Sequence, residues 1–591
     1  MKNFLAGKKK EKTIRIYTGC EKTAEADKRA GLKRGISVLL TALMIISSAL
    51  LPGCSMSAGE MIFGPSADDE KIEYEYRDEA YIPMERVRTL NPIISKDEDT
   101  YNISRLVYDS LFELDEHLTP VPSLVQSYTF DSEKATLSIS LNPDIRWSDG
   151  ERLTASDVKF TVEALQSQGA ATLYNEYVAP VASVKLDKAS DTSCVIQFRS
   201  SSDMSIANLV FPIIPEHQYK NQKTMRAAGN DFIPVGTGPY SVSEYKPLSH
   251  VILTGNTYYR GDVPKNTITF VVLPDKASAV NLIDVNNISV TYERALDRDT
   301  LIADNPDAKT VSCPANRVEF LGFNTRKDNL KLKRFRRAVA YACDTEKMLE
   351  TAYFKSGILA DSLYFPGYLG SENKGSLYPY STKKAEALLR DLKFSDADND
   401  GWLENSKGDP INIEILVNDN NQSRVSAAQL LKTALDKIKI RSQVIAVPEG
   451  EYNSRLASAN FDIYIGGYTF NERYNLKNMY YTGMNLPGYS NPEVDEYLTK
   501  LQSGLTVEEM LSVYSDMKKV LSKDIPYYCL VYTTYGLMIS PELEGEQKPQ
   551  FNNFYKGCET WKSRYAVQKN DENEGYGADN ASENSGGENA D

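Results

Sequence analysis

One short segment carries acidic side chains at a spacing that suits a hard cation. In "DADNDGWLE", Asp396, Asp398 and Asp400 alternate, a glycine follows, and Glu404 comes three residues later. This order is typical of the first half of a calcium loop. The twelfth position, where a glutamate closes the shell of an EF-hand, is Lys407. Two interpretations stay open: a structural Ca²⁺ site formed by these four acids, or an Asp-rich turn that joins a helix to a strand.

Motifs of a catalytic kind are missing from the sequence. There is no G-x-S-x-G elbow, no Walker phosphate loop and no G-x-G-x-x-G after a strand. The three histidines are far apart, and the seven cysteines form no C-x-x-C pair, although one disulfide stays open. We therefore expect a protein that is not an enzyme and that has no cofactor, with structural Ca²⁺ in the 396–404 loop left open as described above.

The N-terminal region has the polarity of a secretory signal. A basic flank precedes the apolar run Ile36 to Leu51, and "LPGC" then places Cys54 in the pattern of a bacterial lipoprotein signal. We expect residues 1–53 to be removed, Cys54 to carry the lipid, and residues 54–70 to form a tether. The alternative is an uncleaved N-terminal anchor with an incidental cysteine.

The charge balance limits the partners. The chain carries 67 basic and 81 acidic residues, and residues 1–53 hold 11 and 4 of them, which leaves a net charge of −21 on residues 54–591. Such acidity argues against a nucleic-acid partner and favours a lipid over a polybasic patch as the route to the membrane. The acidic C-terminal residues 567–591 cannot bury a core and are expected to be a disordered tail.

The elements that would position a site are a mixture of strands and helices. Residues 135–141 alternate polar and apolar as a half-buried strand does, and Thr506 begins a capping box before a helix. Residues 411–417, 441–447 and 461–467 are predicted strands, and Ala427 to Ile438 is a predicted amphipathic helix between the first two. The sequence therefore predicts a mixed α/β fold.

Six blocks, taken in order, resemble the family 5 extracellular solute-binding proteins, which are oligopeptide, dipeptide and nickel receptors of ABC importers. The blocks begin with "RTLNPIISKDEDTYNISRLVYDSLFELDEHLTPVPSLVQSY" and "LSISLNPDIRWSDGERLTASDVKFTVEAL". They continue with "VGTGPYSVSEYKPLSHVILTGNTYY", "LGFNTRKDNLKLKRFRRAVAYACD", "YSTKKAEALLRDL" and "LPGYSNPEVDEYLTKL". The resemblance extends from about Tyr81 to about Arg564.

This resemblance implies a two-lobe clamp of the periplasmic-binding-protein type with an extra subdomain. The implied boundaries are 71–112, 228–310 and 535–566 for lobe I, 113–227 for the inserted subdomain, and 311–534 for lobe II. It further implies a monomeric, lipid-anchored receptor at the extracellular face of the cell membrane, which passes its ligand to an ABC permease when the cleft closes. A surface sensor or signalling-peptide receptor is the alternative.

The ligand is the least determined feature. In peptide receptors of the family an aspartate after the "FD…GW" strand pairs with the peptide ammonium, and the matching position here is Asn471, followed by Glu472. Either Glu472 takes over that role, which keeps a free peptide as ligand, or the ligand has no free amine. A blocked peptide or a sugar-like solute stacked on Tyr468 and Tyr474 would fit the second case. Few histidines make nickel the weakest alternative.

Overall fold

The structure is a computed structural model, and it describes residues 74–219, 232–285, 288–293 and 307–566. The predicted signal 1–53, Cys54, the tether 54–70 and the tail 567–591 lie outside the described residues. The described residues all belong to one compact unit. Within the described ranges, no helix combines the length and the apolar character that a membrane crossing requires.

The described residues form strands and helices that are numbered here along the chain. The strands are β1 (Tyr74–Arg77), β2 (Glu79–Met84), β3 (Phe112–Leu114), β4 (Pro120–Pro122), β5 (Val125–Asp131), β6 (Thr136–Leu141), β7 (Val181–Leu186), β8 (Ser193–Phe198), β9 (Tyr240–Lys246), β10 (His250–Gly255), β11 (Thr267–Val272), β12 (Val290–Glu293), β13 (Lys309–Phe323), β14 (Gly357–Ile358), β15 (Asn412–Asn418), β16 (Arg441–Val447), β17 (Ile463–Thr469), β18 (Tyr527–Ile539), β19 (Leu543–Glu544) and β20 (Lys562–Ala566). The helices are α1 (Glu98–Val107), α2 (Ala155–Gln168), α3 (Asn175–Val178), α4 (Lys333–Ala342), α5 (Thr345–Thr351), α6 (Thr382–Asp391), α7 (Gln422–Lys437), α8 (Glu449–Ala457), α9 (Lys477–Tyr480), α10 (Pro492–Lys500) and α11 (Val507–Asp524).

These strands form three larger sheets. In the first sheet the strand order is β2-β11-β10-β9, and β2 is parallel to β11. A small separate sheet has the order β1-β20-β19, and its strand β1 directly precedes β2 in the chain. The second, β5-β6-β8-β7, is wholly antiparallel and comes from the stretch predicted as the inserted subdomain. The third has the order β12-β18-β13-β17-β15-β16, with β14 paired to β18.

The third sheet has the predicted α/β rhythm. Strand β15 is parallel to both β16 and β17, and helices α7 and α8 connect them. The third predicted strand begins two residues late, at Ile463, because the carbonyls of Phe461 and Asp462 bond to Asn324 instead of a neighbouring strand. Helix α7 begins five residues before the predicted start, because the Asn421 side chain accepts a hydrogen bond from the Arg424 amide and caps it there.

The capping box predicted at Thr506 is confirmed: Thr506 and Glu509 form it at the start of α11, and Thr154 and Asp157 form another at the start of α2. Asn491 caps α10. Four inward positions of α2 are buried: Val158, Thr161, Val162 and Leu165.

A buried ion pair lies under the strand that leads to the site. Arg424 of α7 donates to Glu319 of β13 through Nε (2.7 Å) and Nη2 (3.1 Å). The facing residue on β17 is Gly467, where a Cβ would lie 2.2 Å from Glu319 Oε1. Arg317 also donates to Glu319 and to the Thr469 hydroxyl, at 2.9 and 3.0 Å. The absence of a side chain at Gly467 therefore makes room for the charges beneath the end of β17.

Two long strands of the third sheet, β13 and β18, contain the predicted lobe boundaries near residues 311 and 535. Strands β13 and β18 run antiparallel side by side, and their register shifts between Pro314 and Val318. Beyond that shift, the end of β18 also pairs with β12. The irregularity therefore affects β13 and β18 at the same point along their shared ladder.

Candidate ligand-binding site

A cavity of 630 Å³ lies where the three parts of the chain meet. Its wall is formed by the start of α1, the region around α3, the loop after β17, and residues near Phe551. The volume is within the range of about 300–1,000 Å³ typical of small-molecule pockets. Strands β13, β17 and β18 of the third sheet also contribute to the wall, through Asn316, Thr469 and Tyr535.

Glu472 is held at this junction by contacts from two sides. Its side chain is buried and accepts a hydrogen bond from the Tyr101 hydroxyl of α1. Its backbone amide donates to the Tyr177 hydroxyl of α3 at 3.2 Å. Burial, followed by the Glu472 charge, raises the pKa of Tyr101 well above its usual value, so Tyr101 stays a proton donor.

Two basic groups lie near the wall: Arg473, whose Nη1 is 3.9 Å from the Glu176 carboxylate, and the buried Arg105. Arg105 is the one whose charge is coupled to Glu472. Burial alone would lower its pKa, but the neighbouring Tyr101 and Glu472 groups outweigh burial and raise the pKa. Among the described residues its Nε atom has no hydrogen-bond partner. The charge of Arg105 thus compensates part of the Glu472 charge from behind the wall without forming an ion pair in the described structure.

The cavity wall is acidic and rich in acceptor oxygens. Three carboxylates line it, those of Glu98, Glu176 and Glu472, and the described lining contains no lysine, arginine, histidine or cysteine. Asn552 is 2% exposed, and within the described chain its Oδ1 atom accepts no hydrogen bond. Asn471 donates to Glu176 at 2.9 Å. The wall therefore suits a ligand that brings positive charge and N–H donors.

The structure separates the four ligand-site residues predicted from the sequence. Asn471 and Glu472 line the cavity, whereas Tyr468 and Tyr474 do not. The Tyr474 ring is buried between Tyr368 (4.4 Å between centroids) and Phe470 (4.6 Å). Its hydroxyl lies 2.7 Å from that of Tyr532. Tyr474 is thus a packing residue here, and the ring of the half-buried Tyr468 packs 4.7 Å from that of Phe470.

Several lining residues were missed by the sequence reasoning. They are Tyr101 and Tyr177, which lie hundreds of residues before Glu472, and Asn552, which lies 80 residues after it. None of them belongs to a sequence motif for binding or catalysis. Only the resemblance "SKDEDTYNISRLVYDSL", which contains Tyr101, marked one of these regions as belonging to the family pattern.

The predicted calcium loop is partly assembled. Oxygen atoms of Asp396, Asp398 and Glu404 lie within 4.8 Å of one another. Asp400 is outside this group and pairs with Arg441 at 2.7 Å, and Asp396 lies 3.4 Å from Lys439. The structure therefore brings three of the four predicted ligands together, and calcium binding stays a prediction.

A cavity of this size, lined by polar side chains from distant parts of the chain, is typical of a ligand-binding protein. The family model "Bacterial extracellular solute-binding proteins, family 5 Middle" matches residues 119–488, more than half of the chain. The chain belongs to family 5 of the bacterial extracellular solute-binding proteins.

Individual relatives are distant in sequence but long in coverage. The oligopeptide-binding protein AppA of Bacillus subtilis is 24% identical over 492 residues, with 80% of this chain and 89% of AppA covered. The nickel-binding periplasmic protein of Escherichia coli is 23% identical over 479 residues, covering 77% and 89%. The unliganded, open form of the periplasmic murein tripeptide binding protein MppA superimposes with a TM-score of 0.70 at 15% identity, covering 83% of this chain and 98% of MppA. These relatives are named as binding proteins, and the solved structure shares the two-lobed fold.

Proposed function

We propose that this chain is the lipid-anchored, substrate-binding subunit of an ABC importer and that it captures peptides with a free N-terminal ammonium. The observation that carries the proposal is the acidic cavity at Glu472, whose described lining has three carboxylates and no basic side chain. Closure of the two lobes around the peptide would present the complex to the membrane permease, because a ligand that contacts both lobes favours the closed state.

The chemistry of the wall supports an ammonium group. A buried ammonium needs an ion pair and hydrogen bonds to offset its lost hydration. Glu472 offers a carboxylate that is already oriented by Tyr101, and Asn552 Oδ1 offers a buried acceptor with no partner in the described chain. Asn471 has its amide nitrogen on Glu176. Glu472, rather than Asn471, is therefore our choice as ammonium partner.

The names of two relatives support a peptide ligand, since one is an oligopeptide-binding protein and one a murein tripeptide binding protein. The nickel-binding relative points elsewhere, but the described cavity lining offers no histidine or cysteine as a ligand for that metal. A sugar-like solute stacked on Tyr468 and Tyr474 has less support, because neither ring lines the cavity.

Calorimetry with matched peptide pools tests the proposal. Free peptides should bind and the same peptides after N-acetylation should bind more weakly. Loss of a charge-assisted contact of about 1.5–3 kcal/mol lowers affinity about 10- to 150-fold. Glu472→Gln should produce a loss of that size for free peptides and almost none for acetylated ones. Equal binding of both pools, or a loss confined to Asn471→Ala, would contradict the assignment of Glu472.

Glu176→Gln is the matched control. It removes one carboxylate from the same wall, but from an exposed side chain, so it should change affinity by less than Glu472→Gln does. Peptide uptake by cells with and without the protein distinguishes an importer subunit from a sensor. Uptake should be lost without the protein if it is an importer subunit, and should be unchanged if it is only a sensor.

The lipid anchor is tested by Cys54→Ser and membrane fractionation. Unchanged retention at the membrane would indicate that residues 36–51 hold the protein.

A further inference from the structure

One of the six family blocks, "LGFNTRKDNLKLKRFRRAVAYACD", is strongly basic, and none of its basic residues lines the cavity. The twelve residues 326–337 contain seven basic residues and one acid, in a chain whose net charge is −14. The basic residues are Arg326, Lys327, Lys331, Lys333, Arg334, Arg336 and Arg337. All except Arg336 are exposed or half-buried in the third-sheet lobe.

Contacts extend this segment into one continuous surface. Lys407 and Lys331 both reach Asp328, at 3.6 and 2.7 Å. Arg337 donates to the carbonyl of Lys523 at the end of α11. We call this surface the basic face. Its members are Arg326, Lys327, Lys331, Lys333, Arg334, Arg337, Lys407 and Lys523.

The basic face keeps an excess of positive charge after its internal pairs are counted. Three carboxylates pair with it: Asp328, Asp462, 3.5 Å from Lys327, and Asp524, which contacts Lys333. Eight bases and three acids give a net charge of +5. Residues 54–591 carry −21 in total, so the part of them outside the basic face carries −26. The basic face is therefore a cationic patch on a strongly acidic chain.

An apolar loop adjoins the basic face. Met484 is 53% exposed and Leu486 is 40% exposed. Arg326 donates to the Leu486 carbonyl at 3.0 Å, which places the loop beside the charges. The loop is ordered by the buried Asn485, which donates to the carbonyls of Tyr481 and Tyr489 at 2.8 Å each. The buried amide thus fixes a turn whose two large apolar side chains point to solvent.

We propose that the basic face and the Met484–Leu486 loop dock on an anionic lipid surface. Exposed lysine and arginine side chains are attracted to anionic headgroups, and neighbouring apolar side chains insert at the headgroup boundary. The −26 charge on the rest of residues 54–591 is repelled by the same surface. An anionic bilayer therefore favours one orientation, with the basic face toward the lipid.

The lipid anchor would strengthen this contact without being needed for it. This step rests on the anchor proposed for Cys54. The 20 residues from Cys54 to Tyr74 reach at most about 70 Å even when fully extended, so the folded body stays near the bilayer and a weak surface contact becomes intramolecular. The anchor retains the protein, and the basic face orients it.

Lysine footprinting of the full chain on vesicles tests the proposal. Vesicles of phosphatidylcholine alone are compared with vesicles that also contain phosphatidylglycerol, and an amine-reactive reagent labels exposed lysines, read by mass spectrometry. Labelling of Lys331, Lys333 and Lys407 should fall at least about threefold on the anionic vesicles in low salt and recover in 0.5 M salt, as expected for a screened contact. The exposed Lys134 and Lys188 on the inserted sheet should label equally on both. Equal labelling of the basic face on both vesicle types would overturn the proposal.

Charge-matched variants exclude a general effect of net charge. Arg334→Glu with Lys407→Glu should abolish the lipid-dependent protection, whereas Lys134→Glu with Lys188→Glu, which changes the net charge equally, should leave it intact. Equal behaviour of the two variants would refute a local docking face. Flotation with phosphatidylcholine vesicles reports the anchor alone, so a failed anchor and a failed docking face give different results.

Discussion

The contribution of the buried Arg424–Glu319 ion pair, which lies beneath the end of β17, to the free energy of unfolding can be tested quantitatively. Arg424→Met removes two charge-assisted hydrogen bonds to a carboxylate whose side chain is 4% exposed. The Glu319 charge is then left buried with Arg317 as its remaining basic neighbour. Breaking one partner of a buried pair costs about 3–5 kcal/mol, most of it from the uncompensated charge.

The expected change in melting temperature follows from the size of the folded unit. At about 2.1 cal/mol/K per residue, some 500 folded residues have an unfolding entropy of about 1 kcal/mol/K. A loss of about 4 kcal/mol therefore lowers the melting temperature by about 4 °C if the unit unfolds cooperatively. Calorimetric scanning resolves a shift of this size and also shows whether the transition stays single.

A double-mutant cycle separates the pair from the loss of packing. Glu319→Met combined with Arg424→Met replaces both charges by apolar groups of similar length, and it should be more stable than Arg424→Met alone. Lys432→Met on the same helix breaks the exposed pair with Asp436 (2.7 Å) and should cost less than about 1 kcal/mol. If Lys432→Met and Arg424→Met cost the same, or if the double variant is the least stable of the set, the reasoning is refuted.

Two further predictions concern the calcium loop and a buried carboxylate. If its concentration is near 100 times Kd, millimolar Ca²⁺ should raise the melting temperature by about 2–3 °C, and Asp398→Ala should abolish this rise. An unchanged melting temperature of the parent protein on adding Ca²⁺ would contradict the calcium interpretation. Burial alone would raise the pKa of Asp524, but hydrogen bonds from Lys333, Tyr489 and Asn491 outweigh it and lower the pKa. A lowered carboxylate pKa stabilises the fold above about pH 4, and this stability is lost as the pH falls through the folded pKa. Melting temperature followed from pH 6 to pH 3 should therefore fall less steeply for Asp524→Asn than for the parent, and parallel curves would contradict the lowered pKa.

The parts of the fold that the sequence could predict depend on local physics. Capping boxes at Thr154 and Thr506 satisfy helix-end amides within four residues of chain, so short patterns reveal them. The third predicted strand was misplaced because Asn324, more than a hundred residues away, takes the carbonyls of Phe461 and Asp462. A side chain so distant in sequence leaves no local signal.

The site was predictable only in its centre. The family pattern led to Asn471 and Glu472, which do line the cavity, but it carried Tyr468 and Tyr474 with them because they are close in sequence. Tyr474 has a positive φ of 50° and turns its ring into the core, which periodicity does not foresee. The Tyr101 hydroxyl meets Glu472 from 371 residues away, and such pairings follow from the topology alone.

The side-by-side passage of β13 and β18 has a mechanical consequence. Two strands locked by one hydrogen-bond ladder resist sliding and torsion, but they flex together where the register shifts between Pro314 and Val318. We therefore expect the paired strands to bend mainly about one axis, across the ladder, rather than to rotate freely in all directions. Asn316 lies within that shift, lines the cavity, and donates to the Phe470 carbonyl at 2.5 Å. If the lobes move about this point, as the family resemblance implies, the pivot shares Asn316 with the cavity wall, and closure is expected to shift that residue.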